Sequence, residues 1–190
     1  MPQQRRSRRT RERILDAAAQ VFADCGYASG TTDRIAAEAR LSVGSLYQYF
    51  PNKDAILFVL VQRHMDHAAQ VVRQVLAEPR PLEEWLPALT RAVVRLHAEN
   101  PGLHQVLFEQ APRPPELVLG FHEAEAEAAA AVAALLRADP ALKVAEPART
   151  ARYVVAIIES LTHRFISHSP ELDPEELAGE ICSIVTGYLR

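Results

Sequence analysis

Apolar residues recur every three to four positions along almost the whole chain, and no segment sustains a two-residue alternation for long. The pattern predicts an all-α protein of about nine helices with no sheet. The first helix runs from about Arg8 to Asp24, with Ile14, Ala18, Val21 and Phe22 on one face and Gly26 just past its end. A short helix over 33–39 carries Ile35, Ala36 and Ala39, with Thr32 as its N-cap. A third covers 43–50 and stops at Pro51, because the residue before a proline is kept out of helical geometry. Its start is marked twice. Ser42 can accept from the first free amides, and Leu41 and Leu46 stand where a hydrophobic staple places its two apolar groups.

Beyond Pro51 the elements lengthen. A stripe of Phe58, Val61, Met65, Ala68, Ala69, Val72 and Leu76 predicts a helix over 53–77, roughly 37 Å long. Pro79 and Pro81 precede a helix to about Glu99, and Pro101 precedes a short one ending near Gln110. The stiff segment 111–115 (APRPP) leads into an Ala/Glu-rich helix over 116–138. Pro147 opens the next helix, where a first turn tolerates it, and that helix runs to about His168. Pro170 and Pro174 bracket the last link, before a final helix over 175–189.

With 190 residues, 48% apolar and 24% charged, the chain has the material for a buried core. No apolar run approaches the ~18 residues a membrane span needs, that over 55–61 being far too short, so no membrane partner is expected. The N-terminus carries charge without an apolar stretch, unlike a secretory leader. Cys25 and Cys182 are too few for a disulfide framework and suit a reducing cytoplasm. The net charge of −3 conceals an asymmetry. Residues 1–54 hold nine Lys/Arg against six Asp/Glu, and the remainder twelve against eighteen. Six arginines (Arg5, Arg6, Arg8, Arg9, Arg11 and Arg13) face the single acid Glu12 in the first thirteen residues. Such an arm suits a polyanion, although a solvated tail would look the same from the arm alone.

Two short helices joined by a tight turn, the second one capped, meet the requirements of a DNA-binding helix-turn-helix. Here the turn is Arg40-Leu41-Ser42. Val43, Gly44 and Ser45 are small enough for close approach to base edges, and Gln48 can reach a base or a phosphate. Tyr47 and Tyr49 offer hydroxyls to phosphates, Lys53 offers a point charge, and Leu46 and Phe50 supply the buried face. The stretch RERILDAAAQVFADCGYASGTTDRIAAEARLSVGSLYQYFPNKDAIL strongly resembles the N-terminal domain of the TetR/AcrR family of transcriptional regulators. It joins an A-x-x-x-F core, G-Y-x-x-x-T-T and L-Y-x-Y-F-x-N-K-D across about residues 8–58. The resemblance implies phosphate contacts from Thr32, Tyr47, Tyr49 and Lys53, and base-facing positions at Ser42, Val43, Gly44 and Ser45. It also implies a domain over 1–52 that binds double-stranded DNA and a domain over 53–190 that dimerises and holds a small ligand. Two positions depart from the family. Arg40 replaces a frequent turn glycine, at a cost of about 1–2 kcal/mol if left-handed but with a cation to offer phosphate. Asp33 replaces a basic residue that reads bases in some relatives.

In the long half, Val154, Ile157, Ile158, Leu161 and Phe165 line one face of the helix over 147–168, and Val155 and Ile166 widen it to about half the circumference. Leu177, Ile181, Ile184, Val185 and Tyr188 form a second stripe. Val154, Ile158, Leu161, Phe165, Ile181, Ile184 and Tyr188 are the expected homodimer face, with packing inside one subunit as the alternative. Large or polar groups near these stripes are the candidates for ligand contact: Phe58, Met65, Trp85, Phe108, Phe121, Glu159 and His163. Glu159 and His163, four apart and opposite the apolar stripe, are expected as a solvent-exposed pair. His64 and His67 share a helix face but lack a third ligand, so neither a metal site nor a cofactor is expected. No nucleophile–base spacing or Gly-rich phosphate loop suggests an enzyme. The expected function is a homodimeric repressor released from DNA by a small apolar or amphipathic effector. The competing expectation is an architectural protein that binds DNA indifferently to sequence through its arginines.

Overall fold

The computed structural model describes residues 2–169 and 171–190. Its elements follow the prolines closely. Nine α-helices occur among the described residues: α1 Pro2–Ser29, α2 Thr32–Glu38, α3 Val43–Tyr47, α4 Lys53–Val75, α5 Leu82–Ala98, α6 Pro101–Gln105, α7 Pro115–Ala138, α8 Pro147–His168 and α9 Pro174–Leu189. A single π-helical turn, Val106–Gln110, extends α6. Pro101, Pro115, Pro147 and Pro174 each sit in a first helical turn, where the missing N–H leaves no bond unmade. No strand occurs among the described residues.

Three boundaries differ from the pattern. α1 begins at Pro2, so the arginine-rich arm is helical rather than a separate tail. Gly26, with φ 73°, breaks α1 into a long helix and a terminal turn, which accounts for the end expected there. Thr31 rather than Thr32 caps α2, its hydroxyl accepting from the Arg34 amide at 3.3 Å. Ser42 caps α3 as expected, but the helix ends at Tyr47, three residues before Phe50.

Packing draws a different line from the one at residue 52. One unit holds residues 1–64 with 100–113, and the other holds 65–99 with 114–190, so α4 gives its first half to one and its second half to the other. In the first unit, Ile14, Leu15, Ala18, Phe22, Ile35, Leu46, Phe50, Ile56 and Leu57 are buried. α6 lies directly on α1: a Cβ on Gly102 would sit 2.7 Å from the Ala23 carbonyl oxygen. Gln110 accepts from the Tyr27 amide at 2.9 Å, and Arg63 pairs with Glu12. In the second unit, α8 packs on α5, α7 and α9, and α5 packs on α9. Trp85, Val94, Val132, Val154, Ile158, Ile181 and Val185 form its core. Glu175 bridges Arg91 and Arg95 at 3.0 and 2.7 Å, fastening α9 to α5, and these guanidiniums hold its carboxyl below the usual range.

Candidate functional site

The α2–turn–α3 segment exposes a small polar surface because its main apolar residues are buried on the other side. Ile35, Ala36, Ala39 and Leu46 are buried, while Thr31, Asp33, Arg34, Arg40, Ser42, Gly44, Tyr47 and Gln48 are exposed. Ser42 holds the start of α3, accepting from the Ser45 amide at 3.2 Å and bonding the Ser45 hydroxyl at 2.8 Å. Leu41 N–H reaches back to the Ala36 carbonyl at 2.9 Å, closing the turn. The closure requires a left-handed residue, and Arg40 supplies it with φ 54°, the only non-glycine residue of positive φ among those described. Nothing lies within 4 Å of a Cβ built on Gly44, so this face is open on its outer side.

The structure joins Thr32 and Tyr47 directly, their hydroxyls 3.2 Å apart. Tyr47 keeps half its surface exposed, and the two oxygens form one polar spot between α2 and α3. Tyr49 and Val43 are half-buried beside it. Lys53 is placed differently from a free phosphate donor. Its Nζ donates to the Tyr27 carbonyl at 2.7 Å and lies 3.9 Å from the centre of the Tyr27 ring, tying the end of α1 to the start of α4. Tyr27 in turn bonds Asp54, and burial, the hydrogen bond and the Asp54 charge push its phenol up to about 12. The knot of Tyr27, Lys53, Asp54 and Gln110 was not legible in the sequence, since its members lie up to 83 residues apart. Along α1, residues Arg5, Arg6, Arg8 and Arg9 are exposed, and Arg11 lies over the Phe50 ring at 5.2 Å.

The second unit contains a small, shallow apolar cleft with room for about one water molecule, lined by Val72 of α4, Leu89 and Val93 of α5, Val132 of α7, and Val155, Ile158 and Glu159 of α8. Of the ligand-contact candidates only Glu159 lines it. Trp85 is fully buried in the core, Met65 meets α7 near Gly120, and Phe121 is half-buried on α7. Phe58 and Phe108 belong to the first unit, where Phe108 packs edge-on against His64 at 5.2 Å. Glu159 and His163 do pair, at 3.1 Å, but are half-buried rather than solvent-exposed, because α5 covers that side of α8. Val154, Ile158 and Ile181 are consumed by the unit's own core. What α8 and α9 leave outside is Tyr153, Ile184 and Tyr188, each about half exposed, with the two tyrosine rings edge-on at 6.2 Å. Leu161 and Phe165 are partly buried against the core.

Two sequence families cover these two parts. Residues 14–60 match the bacterial regulatory proteins of the tetR family, and residues 81–189 match the tetracyclin repressor-like C-terminal domain. The chain belongs to the tetR family. Among curated relatives, the transcriptional regulator HbdR of Aromatoleum is 38% identical over 80 residues, 42% of this chain and 35% of that protein. The transcriptional repressor Rv1474c of Mycobacterium tuberculosis is 29% identical over 95% of this chain and 92% of its own. The chain spans less than half the length of several curated relatives it matches, HbdR among them. The fold is also that of the transcriptional regulator FadR of Bacillus subtilis in complex with stearoyl-CoA, with a TM-score of 0.75 at 22% identity over 94% of this chain and 99% of that one. No described helix of this tetR-family chain is long and apolar enough to cross a membrane.

Proposed function

We propose that the chain is a cytoplasmic, homodimeric transcriptional repressor that reads its operator with α3 and leaves it on binding a small apolar or amphipathic effector. The observation that carries the reading is the capped, outward-facing α3 beside the paired Thr32 and Tyr47 hydroxyls. The N-terminal residues of α3 enter the major groove, where Val43, Gly44 and Ser45 allow close approach and Ser42 and Gln48 reach base edges. Thr32, Tyr47 and Tyr49 donate to phosphates, and Arg40 adds a cation from the turn. Lys53 acts chiefly by holding α1 against α4, with its charge near the same backbone. The proposed dimer face is built around Tyr153, Ile184 and Tyr188, flanked by Leu161 and Phe165. A two-fold pair sets the two recognition helices about one DNA turn apart, ~34–36 Å.

The effector is proposed to occupy the apolar cleft beside Glu159, widened on entry. The acyl ligand of the FadR structure supports an apolar occupant without fixing its identity. A ligand that prefers the state with the wrong helix separation lowers DNA affinity by its differential affinity for the two states, and DNA lowers ligand affinity by the same factor. The test is equilibrium binding to the DNA upstream of the chain's own gene against scrambled DNA. Binding selective for the upstream DNA and weakened in Thr32→Ala and Tyr47→Phe supports the reading. Equal, steeply salt-dependent affinity for both DNAs, unchanged in these variants, replaces it with sequence-indifferent binding through the arginines of α1.

A further inference from the structure

The first turns of α1 stand clear of the core. Residues 4–9 are all exposed, Thr10 and Arg11 are half-buried, and the first buried residues of the helix are Ile14 and Leu15. The six exposed residues span roughly 9 Å of helix. The backbone is held there in part by Thr10, whose hydroxyl donates to the Arg6 carbonyl at 3.1 Å, one turn back. Arg5, Arg6, Arg8 and Arg9 lie in this segment, and at 3.6 residues per turn they fall within about 160° of arc, making one basic face.

That face works against its own helix. Arg5 and Arg9 are four residues apart, and Arg5 and Arg8, like Arg6 and Arg9, are three apart, spacings at which like charges repel across a helix surface. All four stand near the N-terminus, where the helix dipole is already positive, and the first turn holds no acid to offset it. Glu12, the single acid of the first thirteen residues, is turned to Arg63 of α4. None of the four arginines is ion-paired among the described residues. A polyanion laid along this face relieves the repulsion that the chain itself leaves uncompensated.

The chemistry and the placement select duplex DNA as that polyanion. Residues 4–10 contain no apolar side chain to sink into a lipid interface. The same compact unit holds α1 and α3. Arg11, two residues beyond the basic face, lies over the ring of Phe50, which follows α3 in the chain. We propose that Arg5, Arg6, Arg8 and Arg9 form a second DNA-contact surface, laid along the phosphate backbone that flanks the site read by α3. The inference rests on the proposed reading of α3 as the helix that faces DNA. The four arginines carry no base information. They neutralise phosphates, raise affinity for every sequence alike, and lengthen the stretch of duplex that each chain occupies.

The test follows full-length, tag-free protein by fluorescence anisotropy on two duplexes, one enriched by the protein from a random library and one of scrambled sequence, over a fourfold range of salt. One variant combines Arg5→Gln, Arg6→Gln, Arg8→Gln and Arg9→Gln, and a second carries lysine at the same four positions. Circular dichroism confirms that both are folded. If two phosphate contacts per chain are lost in the glutamine variant, the slope of log K against log salt flattens by about 1.8 per bound chain, so the affinity lost over that salt range shrinks by about 10-fold. The flattening is expected to be equal on both duplexes, with preference for the enriched one retained, and the lysine variant restores the slope. A slope unaltered by glutamine, or not restored by lysine, overturns the inference, as does binding to phosphatidylserine vesicles, in place of DNA, that depends on these arginines. Failure of the α3 reading shows differently, as equal affinity of the unsubstituted chain for the two duplexes, and leaves the slope comparison intact.

Discussion

Arg40 stands where the backbone favours glycine and where the proposed DNA face favours a cation, so its replacement separates the two demands. At φ 54° a residue with a Cβ carries strain of about 1–2 kcal/mol. Glycine removes that strain but adds about 0.5–1 kcal/mol of unfolded-state freedom. Arg40→Gly therefore raises stability by about 0.5–1 kcal/mol, a rise in Tm of about 1–4 °C for a chain of this size. Arg40→Ala keeps the strain and gains nothing. On DNA the two variants behave alike. Each phosphate neutralised contributes about −0.9 to the slope of log K against log salt, so losing one Arg40 from each chain of the proposed dimer flattens the slope by about 1.8. Urea unfolding at unchanged m-value reads the first effect, and fluorescence anisotropy at several salt concentrations reads the second. A destabilised Arg40→Gly, or an unaltered salt slope in both variants, refutes the reasoning.

Three further outcomes test particular contacts. Thr162 is wholly buried and its hydroxyl has no hydrogen-bond partner among the described residues, so Thr162→Val stabilises the second unit by about 1 kcal/mol in urea unfolding. A methyl on Gly102 meets the Ala23 carbonyl, a backbone atom that cannot step aside, so Gly102→Ala costs about 1–3 kcal/mol, whereas Gly44→Ala, facing open space, leaves stability nearly unchanged. Tyr27 is raised from 10 to about 12, so its folded form holds its proton longer than the unfolded chain does. Stability from this group is whole below pH 10 and is lost as pH climbs toward 12, and ultraviolet titration detects one late-ionising phenol that disappears in Tyr27→Phe.

Prolines and caps made most of the helices legible, because each acts locally: Pro147 and Pro174 open helices by lacking a donor, and Ser42 starts α3 by offering an acceptor. The same local rules failed by one residue at Thr31 and Thr32, two adjacent threonines equally able to cap. Periodicity placed Val154, Ile158 and Ile181 on apolar stripes but carries no information on what covers a stripe, and the chain's own α5 and α7 take them. Lys53 looked free because its anchor, the Tyr27 carbonyl, lies 26 residues away. His97 drew no notice at all, for the ring that meets its own, that of His163, comes from a helix more than sixty residues on.

The central claim, that α3 reads DNA as one of a two-fold pair, is tested most directly by footprinting the chain on its upstream DNA while counting the bound subunits. The account predicts two bound chains protecting two related half-sites about 10–10.5 base pairs apart, or a multiple of that, and loss of the footprint in Tyr47→Phe combined with Arg40→Ala. A footprint from a single chain, or uniform protection with no half-site repeat, contradicts it.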